Sequence, residues 1–164
     1  MSMYSHLRAV PPPALRNSAT WFERLFADDW ETVRERIGRH REEVLDKAYL
    51  QHELLYAGFP PHHAPDGPRT QVVLGGRPVF HRDGSLPPFL LLTAAQTGRV
   101  AAYLEKADFE ELWRGARETL MRPYGMPEAE PDVRGAFASA HRDLTAFYAE
   151  TAYHGEAVVK WLLI

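Results

Sequence analysis

The chain has 164 residues, 45% of them hydrophobic and 25% charged, with a formal net charge of −3 and no cysteine. That size fits one domain with a core of its own, and the charge supplies no long-range attraction to nucleic acid or to an anionic membrane. Without cysteine there is no disulfide, no thiolate nucleophile and no thiolate metal ligand, a composition that suits a reducing cytoplasm.

The first predicted element is a strand. From Met3 to Val10 the chain alternates, with Met3, Ser5, Leu7 and Ala9 on one face and Tyr4, His6, Arg8 and Val10 on the other. Pro11-Pro12-Pro13 ends it, because proline donates no backbone hydrogen bond. Thr20-Trp21-Phe22-Glu23 and Asp28-Asp29-Trp30-Glu31 both have the form of a capping box. They predict a helix over about 14–27 burying Leu15, Phe22, Leu25 and Phe26, and a second over about 29–40 burying Trp30, Val33 and Ile37.

Asp46 is the expected N-cap of a third helix that turns Ala48, His52, Leu54 and Leu55 inward. Gly58 stops it, and Pro60-Pro61 makes the stop final. Residues 59–69 are too rich in proline for a helix or a central strand, so they predict a surface loop. Val72-Val73-Leu74 predicts a short strand ended by Gly75-Gly76, Asp83-Gly84 a turn, and Phe89 to Leu92 a buried strand. No apolar run approaches the ~20 residues of a bilayer span. The first residues have no apolar stretch of the secretory kind, so no leader is expected.

Thr93-Ala94-Ala95-Gln96 is another capping box and opens a helix to about Lys106, with Val100, Tyr103 and Leu104 inward. A further helix over 108–121 turns Phe109, Leu112, Trp113 and Leu120 inward, and Pro123 to Pro131 is a second loop. The last helix, about 132–153, repeats Val133, Phe137, His141, Leu144, Phe147, Tyr148 and Ala152 at spacings of three and four. Gly155 is placed to cap it in a left-handed conformation, and the rest of the chain is a strand rich in β-branched and aromatic residues. Both ends thus read as strands of a finished domain. The expected fold is α+β: a single domain with a small mixed sheet, holding the N- and C-terminal strands and covered by several helices.

Five of these segments together resemble one family. They are Met1-Ser2-Met3-Tyr4 with Leu7-Arg8-Ala9-Val10-Pro11; Leu45-Asp46-Lys47-Ala48-Tyr49; Gly75-Gly76; Pro87-Pro88-Phe89-Leu90-Leu91 before the Thr93-capped helix; and Phe147-Tyr148 through Leu162. In this order they are similar to the YfbM-like family of bacterial proteins. The resemblance implies a small cytoplasmic α+β protein of unknown function and brings no catalytic residue with it. The chain departs from the family where an aromatic, a His and a Gly follow Asp-Lys-Ala: it has Tyr49, Leu50 and Gln51. A histidine role at that point would fall to His52.

Eight histidines offer candidate chemistry: His6, His40, His52, His62, His63, His81, His141 and His154. No pair has the His-x-x-x-His spacing of a helical zinc site, so no metal and no cofactor is expected. Asp46-Lys47 reads first as a cap with an exposed lysine beside it, and second as part of a pocket. His141 is either a core histidine bonded to a carbonyl or a poised base. Gly75-Gly76 lacks the Lys-Ser/Thr of a phosphate loop, and Glu110-Glu111 diverge on a helix. Arg34, Arg36, Arg39 and Arg41 are interleaved with Glu31, Glu35, Glu42 and Glu43, which reads as a salt-bridged solvent face rather than a nucleic-acid patch.

Two functions stay open. One is a non-enzymatic binding or protein-interaction module, with His62 and His63 on the rim of a cleft formed by the 59–69 loop. The other is a small hydrolase or transferase with His141 or His52 as base, Asp46 orienting it and Lys47 or Arg8 holding an anion. The partner is an unknown protein or small molecule, without nucleic acid or membrane, and the chain is a monomer or a homodimer.

Overall fold

The computed structural model describes residues 4–163. Met3, which the alternation places on the first strand, and Ile164 at the end of the last lie outside the described residues, as do Met1 and Ser2. In chain order the elements are β1 (Tyr4–Val10), α1 (Ala19–Leu25), α2 (Trp30–Gly38), β2 (Glu42–Leu45), α3 (Tyr49–Ala57) and α4 (Pro68–Gln71). They continue as β3 (Arg77–Val79), β4 (Phe89–Leu92), α5 (Ala94–Lys106), α6 (Phe109–Met121), α7 (Glu130–Tyr153) and β5 (Ala157–Leu163).

The five strands form one sheet in the order β2-β1-β5-β4-β3. The two terminal strands pair over their whole length, from Tyr4 opposite Leu163 to Val10 opposite Ala157. The α+β class is as the sequence predicts. Within the sheet every pair is antiparallel, where a mixed sheet was expected. A parallel pair needs a crossover to the far end of the sheet. Here each helical excursion between neighbouring strands returns to the end it left, and the β2-to-β3 excursion joins the two edges.

Side chains divide between two apolar layers as the period of two requires. Leu7 and Val158 face the larger core with Tyr56, Val100, Leu144 and Phe147 from the helices. Val10, Phe89, Leu91 and Val159 face the smaller one, closed by Phe22 and Phe26 of α1 and its end. Phe22 is fully buried with its ring tilted against Phe89, centroids 5.5 Å apart, and that burial contributes roughly 1.5–3 kcal/mol.

Local signals hold where capping chemistry acts alone. Thr93 and Gln96 cap α5 reciprocally, Asp29 caps α2 through the Thr32 N–H at 2.9 Å, and Gly155 has φ 63°. Two boundaries shift. The N-cap of α1 is Ser18, not Thr20, and the proline run forms a 3₁₀ turn before it. Trp30, expected inside, is 54% exposed, because the α2 stripe that packs is centred on Val33.

The expected strand at Val72-Val73-Leu74 does not form. Val72 and Val73 are fully buried, yet side chains rather than a neighbouring strand satisfy this backbone. Lys160 Nζ donates to the carbonyls of Gln71 and Gly75, Tyr148 Oη donates to Val72 O at 2.6 Å, and Glu53 Oε2 accepts from the Leu74 N–H at 2.9 Å. Gly75 is needed here: a Cβ would collide with the Thr70 carbonyl. The strand that does form, β3, starts just beyond at Arg77.

Candidate functional site

A cleft lies between the end of α3, the loop after it, the end of α5 and the first half of α6. It encloses about 470 Å³. Leu54, Leu55, Leu112 and Ala116 make its apolar wall. They reach it because the inward stripes of α3 and α6 meet there at their edges.

Charge collects at the rim of this cleft. Arg69 and Lys106 supply positive charge, and Asp108 and Glu111 negative charge. Asp108 is fixed as the N-cap of α6, its Oδ1 accepting from the Glu110 N–H at 2.9 Å. Arg69 is fixed by donating from Nε to the Tyr56 carbonyl at 2.9 Å. Burial raises the Tyr103 phenol above its usual pKa, while the neighbouring Arg69 guanidinium pulls the other way. Gly115 also lines the cleft, and a Cβ there would meet nothing within 4 Å.

The residues singled out in the sequence fall in different places. His62 is on the cleft lining; His63, beside it, is exposed and does not line the cleft. Asp46 and His52 share a second, smaller depression of about 240 Å³ against α7. Asp46 is a turn residue rather than the helix N-cap: its Oδ1 accepts from the Ala48 N–H at 2.9 Å, and Ala48 occupies the cap position. Lys47 is exposed and lines neither opening. Arg8 lies across the sheet, donating to Leu25 O and, at 3.4 Å, to Asp28.

His141 is buried between helices. Its Nδ1 is 2.8 Å from Tyr56 Oη, and its ring lies 5.7 Å from Phe109. Burial, helped by the Arg142 charge, lowers its pKa below the usual imidazole value. The hydrogen bond goes to a phenol, where a carbonyl was one expectation. His52 packs its ring 4.6 Å from Phe137, and its buried Nδ1 has no hydrogen-bond partner among the described residues. Burial brings its pKa down to about 4, against the pull of Asp46.

Two buried polar clusters escaped the sequence reading. The first is Lys160, Tyr148 and Glu53 around the 71–75 backbone. The signal was visible: Lys160 is the lone charge in the apolar strand Ala-Val-Val-Lys-Trp-Leu-Leu. The second is on the other side of the sheet, where Arg36 bridges Glu42 at 2.9 Å and Asp28 at 2.7 Å, with His6 nearby. Burial, then the charges of Arg36 and Arg8, takes His6 down to about 4. Arg39 pairs with Glu35 at 2.6 Å, one helical turn away, and Arg41 pairs with Glu156. The arginine-rich stretch is thus laced with carboxylates. Among the described residues, no three His, Asp or Glu side chains gather as a metal site, and no helix is long and apolar enough to cross a membrane.

A model of the family described as a domain of unknown function (DUF1877) matches residues 1–161. The structure of YfbM from Escherichia coli, a protein of unknown function, superposes with a TM-score of 0.62, covering 99% of this chain and 100% of that one at 15% identity. At that identity the likeness concerns the fold alone. No curated protein matches the sequence. The two matches agree with the YfbM-like resemblance carried by the sequence motifs.

Proposed function

The chain belongs to the DUF1877 family, and from that premise we propose that it is a non-enzymatic binding module of the bacterial cytoplasm. Its ligand is a small molecule bearing charge, held in the cleft between α3, α5 and α6. The observation that carries this reading is the composition of the cleft. An apolar wall faces a rim with both signs of charge in about 470 Å³, a volume within the range of small-molecule sites. Among the described residues no serine, threonine or cysteine lines it, so its residues suit recognition better than acyl or phosphoryl transfer. The hydrolase reading needs His141, His52, Asp46 and a cation in one place. Asp46 and His52 share one depression, but His141 is engaged elsewhere by Tyr56 and neither Lys47 nor Arg8 lines that depression. The cytoplasmic assignment rests on the absence of cysteine, and the exclusion of nucleic acid on the net charge of −3.

A thermal-shift screen against cationic, anionic and zwitterionic metabolites tests the reading. A ligand at 100 times its Kd adds about 2.7 kcal/mol of stability. Hits should vanish in Gly115→Trp, which fills the cleft, and survive in Gly115→Ala, which adds one methyl to open space. Hits indifferent to Gly115→Trp, or an empty screen, would overturn it.

A further inference from the structure

We propose a second ligand site, for a small organic ammonium ion, in the depression between β2, the turn after it and α7. The site uses different residues from the cleft and does not depend on it. It encloses about 240 Å³, room for a single ring with a short amine arm. Its walls are Leu45, Val133 and Phe137, with Tyr124 half-exposed among them. Among the described residues, Asp46 is the only charged side chain on its lining, which gives the depression a carboxylate without an opposing cation there. Lys47, next in sequence, is exposed and does not line it.

Aromatic faces beside a carboxylate attract an ammonium ion through both the ring quadrupoles and the charge. His52 completes the aromatic lining, its ring tilted against Phe137 with centroids 4.6 Å apart and only 6% exposed. Its buried Nδ1 has no hydrogen-bond partner among the described residues, so this nitrogen is not tied to an internal polar group there. Burial keeps the ring neutral at physiological pH, and it therefore does not repel a cation. An anion would meet Asp46 with nothing to offset the repulsion.

The probes are benzylammonium, benzyl alcohol and benzoate, matched in shape and different in charge. They are titrated into the full chain with the backbone amides of Ala48, His52, Tyr124 and Phe137 followed by NMR. Benzylammonium should shift these amides saturably and bind about threefold to tenfold more tightly than the alcohol, the range for a partly exposed charge pair beside aromatic rings. Asp46→Asn keeps an oxygen for the Ala48 N–H and should reduce benzylammonium to the level of the alcohol. Equal affinity for alcohol and ammonium, no shift at these amides, or undiminished binding to Asp46→Asn would overturn the proposal. The comparison of the three probes on the unaltered chain decides the matter even where the variant loses structure.

Discussion

Replacing Lys160 by methionine should flatten the alkaline limb of the stability profile. The ammonium is 1% exposed, in the middle of β5, and burial lowers its pKa from 10.5 to about 7, against the attraction of Glu53. Between those values the unfolded chain holds a proton that the native chain has given up. A depressed native pKa therefore makes stability greatest above the unfolded value and lets it fall as pH drops toward the native one. At about 1.36 kcal/mol per unit, the side chain should add about 2 kcal/mol as pH rises from about 8 to about 9.5. Burial raises the phenols of Tyr56, Tyr103 and Tyr148, so they stay protonated through this window. Urea unfolding at half-unit pH steps, followed by the fluorescence of the four tryptophans, measures the slope. Lys160→Met should remove the slope. It should also lie below the unaltered chain at the alkaline end, because the Gln71 and Gly75 carbonyls lose their donor. A level profile for the unaltered chain would refute the reasoning: the ammonium would then be charged throughout, held by those carbonyls and Glu53.

Glu43 carries the opposite sign. Burial and the Asp143 charge push its carboxyl up to about 7, so its contribution is present below 4.5 and lost as pH rises through 7. Glu43→Gln should raise stability by up to about 3 kcal/mol at pH ~8 and change little at pH ~4, read as unfolding free energies at the two pH values; no gain at the higher pH would show that the carboxylate is not penalised. Tyr56→Phe leaves His141 Nδ1 without its partner and should cost about 1–3 kcal/mol by denaturant unfolding, with an unchanged midpoint counting against that bond. Gly75→Ala should cost more than about 2 kcal/mol, because the new Cβ meets the Thr70 backbone, whereas Gly135→Ala in α7 meets nothing and should gain about 0.5–1 kcal/mol in the same melt. Similar melting temperatures for these two variants would remove the steric argument.

Asp46 and His52 were both visible in the sequence as candidate pocket residues, and the fold brings them to one depression. Their aromatic neighbours Tyr124 and Phe137 come from the loop before α7 and from α7 itself, and no local pattern links those segments to Asp46. The cleft follows the same rule. Its loop edge at His62 was expected from the prolines. Arg69, Lys106 and Asp108 reach it from α4, from α5 and from the cap of α6, which only the packing of these helices with α3 assembles.

What the sequence determined by itself is the structure that neighbours in the chain can enforce. The Thr93–Gln96 box, the three-and-four spacing along α7, the left-handed Gly155 and the two faces of β1 all depend on contacts within a few residues. Tertiary structure decided which backbone groups pair over long distance. Glu42-Glu43-Val44-Leu45 becomes a strand because Tyr4–Val10 offers an edge and Arg36 answers the buried Glu42. Val72-Val73-Leu74 has the residues of a strand but is drawn out of the sheet, because Tyr148 takes the Val72 carbonyl, Glu53 the Leu74 N–H, and Lys160 the flanking Gln71 and Gly75 carbonyls. A buried backbone group must find some partner, and the sequence around it does not say whether that partner is a strand or a side chain from a distant part of the chain.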